Sequence, residues 1–94
     1  MTTITAVIIT KAAEKGLRKV PMHVRVNFFA WMDAVTHEGL ETVRKVPGYH
    51  DEPLTGRRLG QRSIRLSKGY RAFYKIEGTT AKLVSVIEIN KHEY

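Results

Sequence analysis

The sequence predicts a small α+β domain in which helices cover one face of an antiparallel sheet. The first half carries apolar residues at helical spacing, whereas the half after Pro47 carries short alternating runs separated by turn residues. At 94 residues the chain is long enough for one hydrophobic core and too short for two. We therefore expect a single domain over residues 1–94, in the order strand, helix, helix and three-stranded antiparallel meander.

The first half of the chain predicts a strand and two helices. The β-branched run over residues 4–9 is typical of a strand, and the following Thr10 is a typical helix N-cap. A short helix over residues 11–20 ends before Pro21, because the residue before a proline avoids the helical region. A longer amphipathic helix follows and the helical half ends at Pro47. Its predicted core stripe consists of Val24, Phe28, Trp31 and Val35.

The second half predicts three antiparallel strands, over residues 61–66, 70–76 and 83–89. The segments between them, Ser67-Lys68-Gly69 and Gly78-Thr79-Thr80, are typical turn sequences. Alternation in the middle strand separates two sets of side chains, Tyr70, Ala72, Tyr74 and Ile76 against Arg71, Phe73, Lys75 and Glu77. The first strand is distant in sequence, so we expect it to pair with the last strand or to lie at a sheet edge.

Positive charge is concentrated in one segment of the chain. Lysine and arginine number 16 against 9 acidic residues, a net charge of +7. This whole excess comes from a window without any acidic residue, whose cations are Arg57, Arg58, Arg62, Arg65, Lys68, Arg71 and Lys75. Such a segment is typical of polyanion binding, and arginine favours phosphate because its planar fork bonds two oxygens. A solvated basic face is the alternative interpretation.

Composition excludes several other classes of protein. The absence of cysteine excludes disulfides, thiolate nucleophiles and cysteine zinc sites, and it fits a reducing compartment. The apolar run at the start of the chain is far shorter than a membrane span. The four histidines show no metal-binding spacing, and no glycine-rich phosphate loop is present. We expect a cytoplasmic protein that needs no cofactor and no metal.

Titratable side chains are densest directly before the basic window, where His50, Asp51 and Glu52 follow one another. A carboxylate or imidazole beside several arginines suits cleavage of an RNA phosphodiester. The base takes the 2′-OH proton, cations stabilise the phosphorane charge, and an acid protonates the leaving 5′-oxygen. His92 and Tyr94, after the last strand, are candidates for the acid and for a stacking group. Each of these residues also has a structural interpretation, as a turn cap, an ion-pair partner or a terminal side chain.

Several motifs together resemble the RelE/ParE superfamily of bacterial type II toxins, over essentially the whole chain. They are Glu52-Pro53-Leu54-Thr55-Gly56 leading into Arg62-Ser63-Ile64-Arg65-Leu66, the strand Tyr70-Arg71-Ala72-Phe73-Tyr74, and Lys91-His92-Glu93-Tyr94. The YoeB-like branch matches best. The resemblance implies a RelE-like fold and a metal-independent mRNA interferase that cuts the message in the ribosomal A site, using its own 2′-OH.

The same resemblance implies roles for particular residues. Glu52 would be the general base, Arg71 would stabilise the phosphorane, and His92 would be the general acid. Tyr94 would orient or stack on a base, and Arg65 would bind a phosphate.

The sequence departs from the YoeB-like pattern at one position. There the histidine and tyrosine are adjacent, whereas here Glu93 separates His92 from Tyr94. Related toxins work with several histidines, so His50 is an alternative base. We assign the remaining candidates to RNA binding: His50, Arg57, Arg58, Arg62, Lys68 and Lys75.

The resemblance and the charge also imply partners. One is an antitoxin with an acidic, partly disordered segment that folds onto the basic surface. The other is the 30S A site of the ribosome with its mRNA, and no membrane partner is expected. Two alternative functions stay open: a ParE-like toxin that poisons DNA gyrase by binding, and an RNA-binding module without catalysis.

Overall fold

The computed structural model describes residues 3–88, which form three helices and one mixed sheet. The elements are β1 (Ala6–Ile9), α1 (Lys11–Lys19), α2 (Met22–Glu38), α3 (Leu40–Val43), β2 (Glu52–Pro53), β3 (Gln61–Ser67), β4 (Tyr70–Glu77) and β5 (Thr80–Glu88). Single 3₁₀ turns lie at Pro47–Tyr49 and Gly56–Arg58. The predicted α+β class is confirmed, and the predicted strand, helix, helix and three-stranded meander occur in the expected order.

The sheet has the strand order β1-β5-β4-β3-β2. β1 runs parallel to β5, and every other neighbouring pair is antiparallel. The first strand therefore satisfies both sequence expectations, because it pairs with the last strand and lies at an edge. Within residues 3–88, no helix has the length and apolar character that crossing a bilayer requires.

The helix ends follow from local sequence. The Thr10 hydroxyl caps α1 by accepting a hydrogen bond from the Ala13 N–H at 3.2 Å, as predicted. Val20, the residue before Pro21, is extended with φ −90° and ψ 158°, so α1 ends there. α2 ends at Gly39, whose φ of +87° is a left-handed value that favours glycine.

A second glycine lets α1 lie directly on β5. A Cβ atom added at Gly16 would lie 2.6 Å from the carbonyl oxygen of Val86, which is closer than real Cβ contacts come. Glycine in the interior of a helix usually weakens it. In the structure the missing side chain is what allows the helix backbone to approach the strand.

The hydrophobic core fills the space between the helices and one face of the sheet. All four residues of the predicted stripe on α2 are fully buried. Trp31 packs against Tyr74 of β4, with ring centroids 5.4 Å apart, and against Phe28 at 5.9 Å. The sheet contributes Ile64, Leu66, Ala72, Tyr74, Ala81 and Leu83.

The opposite face of the sheet, called the open face here, has no helix packed on it among the described residues. Ser63 directly precedes the core residue Ile64 on β3 and pairs with Phe73 of β4, so alternation places both on the open face. β2 adds Glu52 to this face, because Glu52 pairs with Ser63. The sequence analysis did not predict β2, since two residues are too short to show periodicity.

Candidate active site

Glu52 lies on the open face between a histidine and an arginine. Its Oε2 atom is 3.7 Å from Nε2 of His50, and its Oε1 atom is 3.7 Å from Nη1 of Arg71. Nη1 of Arg71 also donates a hydrogen bond to Oγ of Ser63 at 3.3 Å. The Arg71 side chain is 19% exposed and the Glu52 side chain 41% exposed. The cation is thus held by the sheet, while the carboxylate beside it is open to solvent.

This cluster forms where the backbone of one residue, His50, adopts a left-handed conformation. The 3₁₀ turn Pro47–Tyr49 ends at His50, which has φ 47° and ψ 49°. Histidine is one of the few residues besides glycine that are enriched in this region. Two residues later the chain joins the sheet edge as β2. The side chains of His50 and Glu52 lie 3.7 Å apart, whereas that of Asp51 bonds Arg62 and Tyr74 instead.

Asp51 is the centre of a buried polar network on the helix side of the sheet. Its side chain is 0% exposed, its Oδ1 atom accepts a hydrogen bond from Nε of Arg62 at 2.6 Å, and its Oδ2 atom accepts one from the Tyr74 hydroxyl. Burial, followed by the hydrogen bond to Asp51, raises the pKa of Tyr74 far above its usual value. Burial alone would lower the pKa of Arg62, but the hydrogen bond to Asp51, the charge of Asp51 and the interactions with Tyr74 together outweigh burial and raise it.

This network ties the loop that carries Glu52 to β3 and β4. The sequence analysis assigned Asp51 no role, because nothing in the spacing of consecutive acidic residues tells which one is buried. Arg62, which the sequence analysis assigned to the basic surface, is bonded to Asp51 instead. Its side chain is 24% exposed and its guanidinium bonds Asp51, so one of the seven cations in the window is neutralised inside the protein.

The other predicted RNA-binding residues fall into two groups. Arg58 and Lys75 are engaged with neighbours: the Arg58 guanidinium lies 4.0 Å from the centroid of the Phe73 ring, and Nζ of Lys75 lies 3.0 Å from Glu77. Arg57 and Lys68 are exposed, in the second 3₁₀ turn and in the β3–β4 turn.

Phe73 marks a surface feature that the sequence analysis missed. Its side chain is buried although it lies on the open face, because Arg58 covers it. Arg58 is fixed by further hydrogen bonds to the Gln61 side chain at 3.0 Å and to the Ser85 hydroxyl at 3.5 Å. The sequence contained one indication of this contact, because Phe73 is an aromatic residue among the charged residues on one face of β4.

Arg65 lies next to the cluster. It is exposed and pairs in register with Arg71 across β3 and β4. Two arginines of the predicted site are therefore neighbours. The remaining two predicted residues, His92 and Tyr94, lie outside the described residues. The last described residue is Glu88 of β5, which pairs with Tyr70 of β4.

The described side chains offer no evident metal centre. Among residues 3–86, whose side chains the structure describes, no three histidine or acidic side chains are grouped so that they could hold an ion. The expectation that the protein needs no metal stays a prediction.

No protein-family model and no curated protein sequence matches the chain. Solved structures with the same fold do match. A chain of the archaeal RelE–RelB complex from Pyrococcus horikoshii superimposes with a TM-score of 0.70 at 22% identity, covering 97% of this chain and 99% of that one. A chain of the DinJ–YafQ toxin–antitoxin complex from E. coli gives 0.66 at 16% identity, with 87% and 89% covered.

A YoeB/ParE toxin from Agrobacterium tumefaciens is a third match, with a TM-score of 0.66 at 13% identity, covering 90% of this chain and 99% of that one. The resemblance to the RelE/ParE superfamily is thus confirmed at the level of the fold, and YoeB-type chains are among the neighbours. Identities this low show a common fold and leave the chemistry to be argued from the residues of this chain.

Proposed function

We propose that this protein is the toxin of a type II toxin–antitoxin system and that it cleaves mRNA in the ribosomal A site. The observation that carries the proposal is the Glu52 carboxylate 3.7 Å from the Arg71 guanidinium on a basic, open sheet face. The fold supports it, because chains of similar structure come from toxin–antitoxin complexes. A carboxylate next to an arginine supplies a proton acceptor beside a group that stabilises negative charge.

The proposed reaction uses the substrate's own hydroxyl as nucleophile. Glu52 removes the proton from a ribose 2′-OH, and this oxygen forms a bond to the adjacent phosphorus while the bond to the 5′-oxygen breaks. His92 gives a proton to that leaving oxygen. The products are a 2′,3′-cyclic phosphate and a 5′-hydroxyl. Arg71 stabilises the charge of the phosphorane, and Arg65 binds the same or a neighbouring phosphate.

The position of Glu52 favours it over His50 as the base. Glu52 is the member of the pair that lies beside Arg71, so base and charge-stabilising group are adjacent. His50 lies on the other side of the carboxylate, within 3.7 Å of it, and is placed to orient Glu52 or to exchange a proton with it.

The roles proposed for His92 and Tyr94 rest on the resemblance, since both residues lie outside the described part of the chain. Ile87 pairs with Arg71, so the described part of β5 reaches the end of the sheet where the two arginines lie.

The proposed partners follow from charge. An antitoxin with an acidic segment would neutralise the protein by covering the basic open face. The 30S A site would hold the mRNA in line for attack, which a surface this small and open does not achieve by itself.

Mapping of mRNA 5′ ends by primer extension, after a short pulse of expression, tests the proposal. We compare the wild type with Glu52→Gln and with the control Glu77→Gln, which changes an exposed glutamate on β4 that pairs with two lysines. New ends inside translated codons are expected for the wild type and the control and are expected to disappear in Glu52→Gln. Growth arrest without new ends would instead favour the gyrase-poisoning alternative, and full cutting by Glu52→Gln would remove Glu52 as the base.

A further inference from the structure

A cavity opens beside the candidate active site, between α2, the 3₁₀ turn before His50 and the second half of β3. Its volume is about 310 Å³, at the lower end of the range for small-molecule pockets. The side chains that matter for its chemistry are Asn27, Ala30, Val46, Tyr49, Arg65 and Leu66. No role in the proposed reaction has been assigned to this cavity.

The lining combines flat and apolar surfaces with a few polar groups. Ala30, Val46 and Leu66 are apolar, while Tyr49 supplies an aromatic ring and Arg65 a planar guanidinium. Unstacked bases of single-stranded RNA are recognised by stacking on such groups and by hydrogen bonds to their edges. The lining therefore has the composition that a nucleobase requires.

Two polar groups of the cavity have defined states. Nδ2 of Asn27 donates a hydrogen bond to the Leu66 carbonyl at 2.6 Å, which fixes the carboxamide and presents its oxygen as an acceptor. Burial, and secondly the charge of Glu38, raises the pKa of Tyr49, so its hydroxyl stays protonated and can donate. Both an acceptor and a donor are thus available to the edge of a base.

The cavity and the candidate active site share the same two segments of chain. Tyr49 directly precedes His50, and Arg65 pairs in register with Arg71. A phosphate held between the two arginines would leave the neighbouring nucleotide at the entrance of the cavity. We propose that the cavity binds one unstacked base of the RNA next to the scissile phosphate and thereby contributes to the choice of cleavage position. This inference rests on the proposed function.

The test measures binding and does not depend on cleavage. The full-length protein carrying Glu52→Gln, which prevents cutting, is isotope-labelled and titrated with tri-ribonucleotides up to millimolar concentration while amide NMR shifts are recorded. We expect shifts at Ala30, Gly48 and Tyr49. An otherwise identical oligonucleotide without the central base is expected to bind about tenfold more weakly, in line with the usual contribution of one stacked base.

Substitutions at two helix positions make the test specific. Ala30→Leu fills the cavity from α2 and is expected to weaken binding of the complete oligonucleotide about tenfold, while leaving the abasic one unchanged. Ala12→Leu, an exposed alanine on α1 that does not line the cavity, is the matched control and should change neither. A second pair of variants guards against unfolding. Tyr49→Leu should weaken binding, and Tyr49→Phe, which keeps the ring and loses only the hydroxyl donor, should restore most of it.

The outcomes separate this inference from the proposed function. If the wild type cuts mRNA but the cavity amides stay unshifted at millimolar RNA, the base-binding inference is wrong and the proposed function stands. If no mRNA ends appear but the cavity binds bases, the protein is an RNA-binding module. If Ala30→Leu leaves RNA affinity unchanged and instead weakens binding of an acidic partner chain, the cavity belongs to that partner and the inference is overturned.

Discussion

Two consecutive carboxylates of this protein have opposite environments. The Asp51 side chain is fully buried and accepts hydrogen bonds from Arg62 and Tyr74, whereas the Glu52 side chain is 41% exposed and lies 3.7 Å from Arg71. The difference arises where β2 begins: Glu52 pairs with Ser63 on the open face, whereas Asp51, the residue before the strand, bonds Arg62 and Tyr74 on the helix side. One acidic residue therefore anchors the loop to the helix side, while the next reaches the basic open face. We expect the first to determine stability and the second to determine activity.

The largest expected effect is the loss of activity in Glu52→Gln. Removal of a general base typically lowers the rate by about 10²- to 10⁴-fold. The Glu52 side chain is 41% exposed, and its 3.7 Å distance to the Arg71 guanidinium is too long for a hydrogen bond, so little stability depends on it. The free energy of unfolding should change by less than about 0.5 kcal/mol. Cleavage of mRNA on purified ribosomes and urea unfolding of the isolated protein measure the two quantities. An active or a strongly destabilised variant would contradict the comparison.

The second effect is the loss of stability in Asp51→Ala. This substitution leaves the Arg62 charge without its partner, and breaking a buried pair in this way costs about 3–5 kcal/mol. Because Arg62 is itself 24% exposed and can turn toward water, we expect the lower end of that range. Urea unfolding gives the value directly. A change below about 1 kcal/mol would mean that Asp51 does not anchor the loop.

Asp51→Asn provides the matched control, because it keeps the shape and the hydrogen-bonding oxygen while it removes the charge. It should lie between the wild type and Asp51→Ala in stability. If activity falls in both Asp51 variants in proportion to the fraction unfolded, the residue acts through the fold; a further loss would indicate that it positions Glu52.

A smaller effect is expected for Tyr74→Phe, which removes one hydrogen bond to Asp51. A hydrogen bond to a charged group contributes about 1.5–3 kcal/mol, and the lower value is expected because Arg62 continues to bond Asp51.

This contribution depends on pH. The folded pKa of Tyr74 lies above the value of the unfolded chain, so the folded state keeps its proton while the unfolded state loses it above about pH 10. The stability difference between wild type and Tyr74→Phe should be constant below pH 10 and should shrink as pH rises further. Thermal unfolding of both proteins at several alkaline pH values measures it. A difference that grows with pH would show the opposite shift.

The contrast between Asp51 and Glu52 also shows which features of the structure could be predicted from the sequence alone and which could not. The core stripe of α2, the cap at Thr10 and the meander were predicted because each depends on local spacing or on a local residue preference. The burial of Asp51 was not, because it depends on Tyr74, 23 positions away. Likewise, the local sequence does not distinguish Arg62 from Arg65, because both are arginines of the same predicted strand. Only the sheet register places Arg62 against a buried carboxylate and Arg65 at an exposed edge.

The smallest expected effect concerns Arg58, which covers Phe73 on the open face. Arg58→Ala removes a partly buried cation–π contact, worth about 0.5–1 kcal/mol of stability. If Arg58 also contacts a phosphate of bound RNA, the slope of log affinity against log salt should fall by about 1. Arg57→Ala, an exposed neighbour, is the control: it should lower the slope in the same way without the loss of stability. A stability loss in Arg58→Ala with an unchanged slope would assign this arginine to the fold, as Arg62 already is.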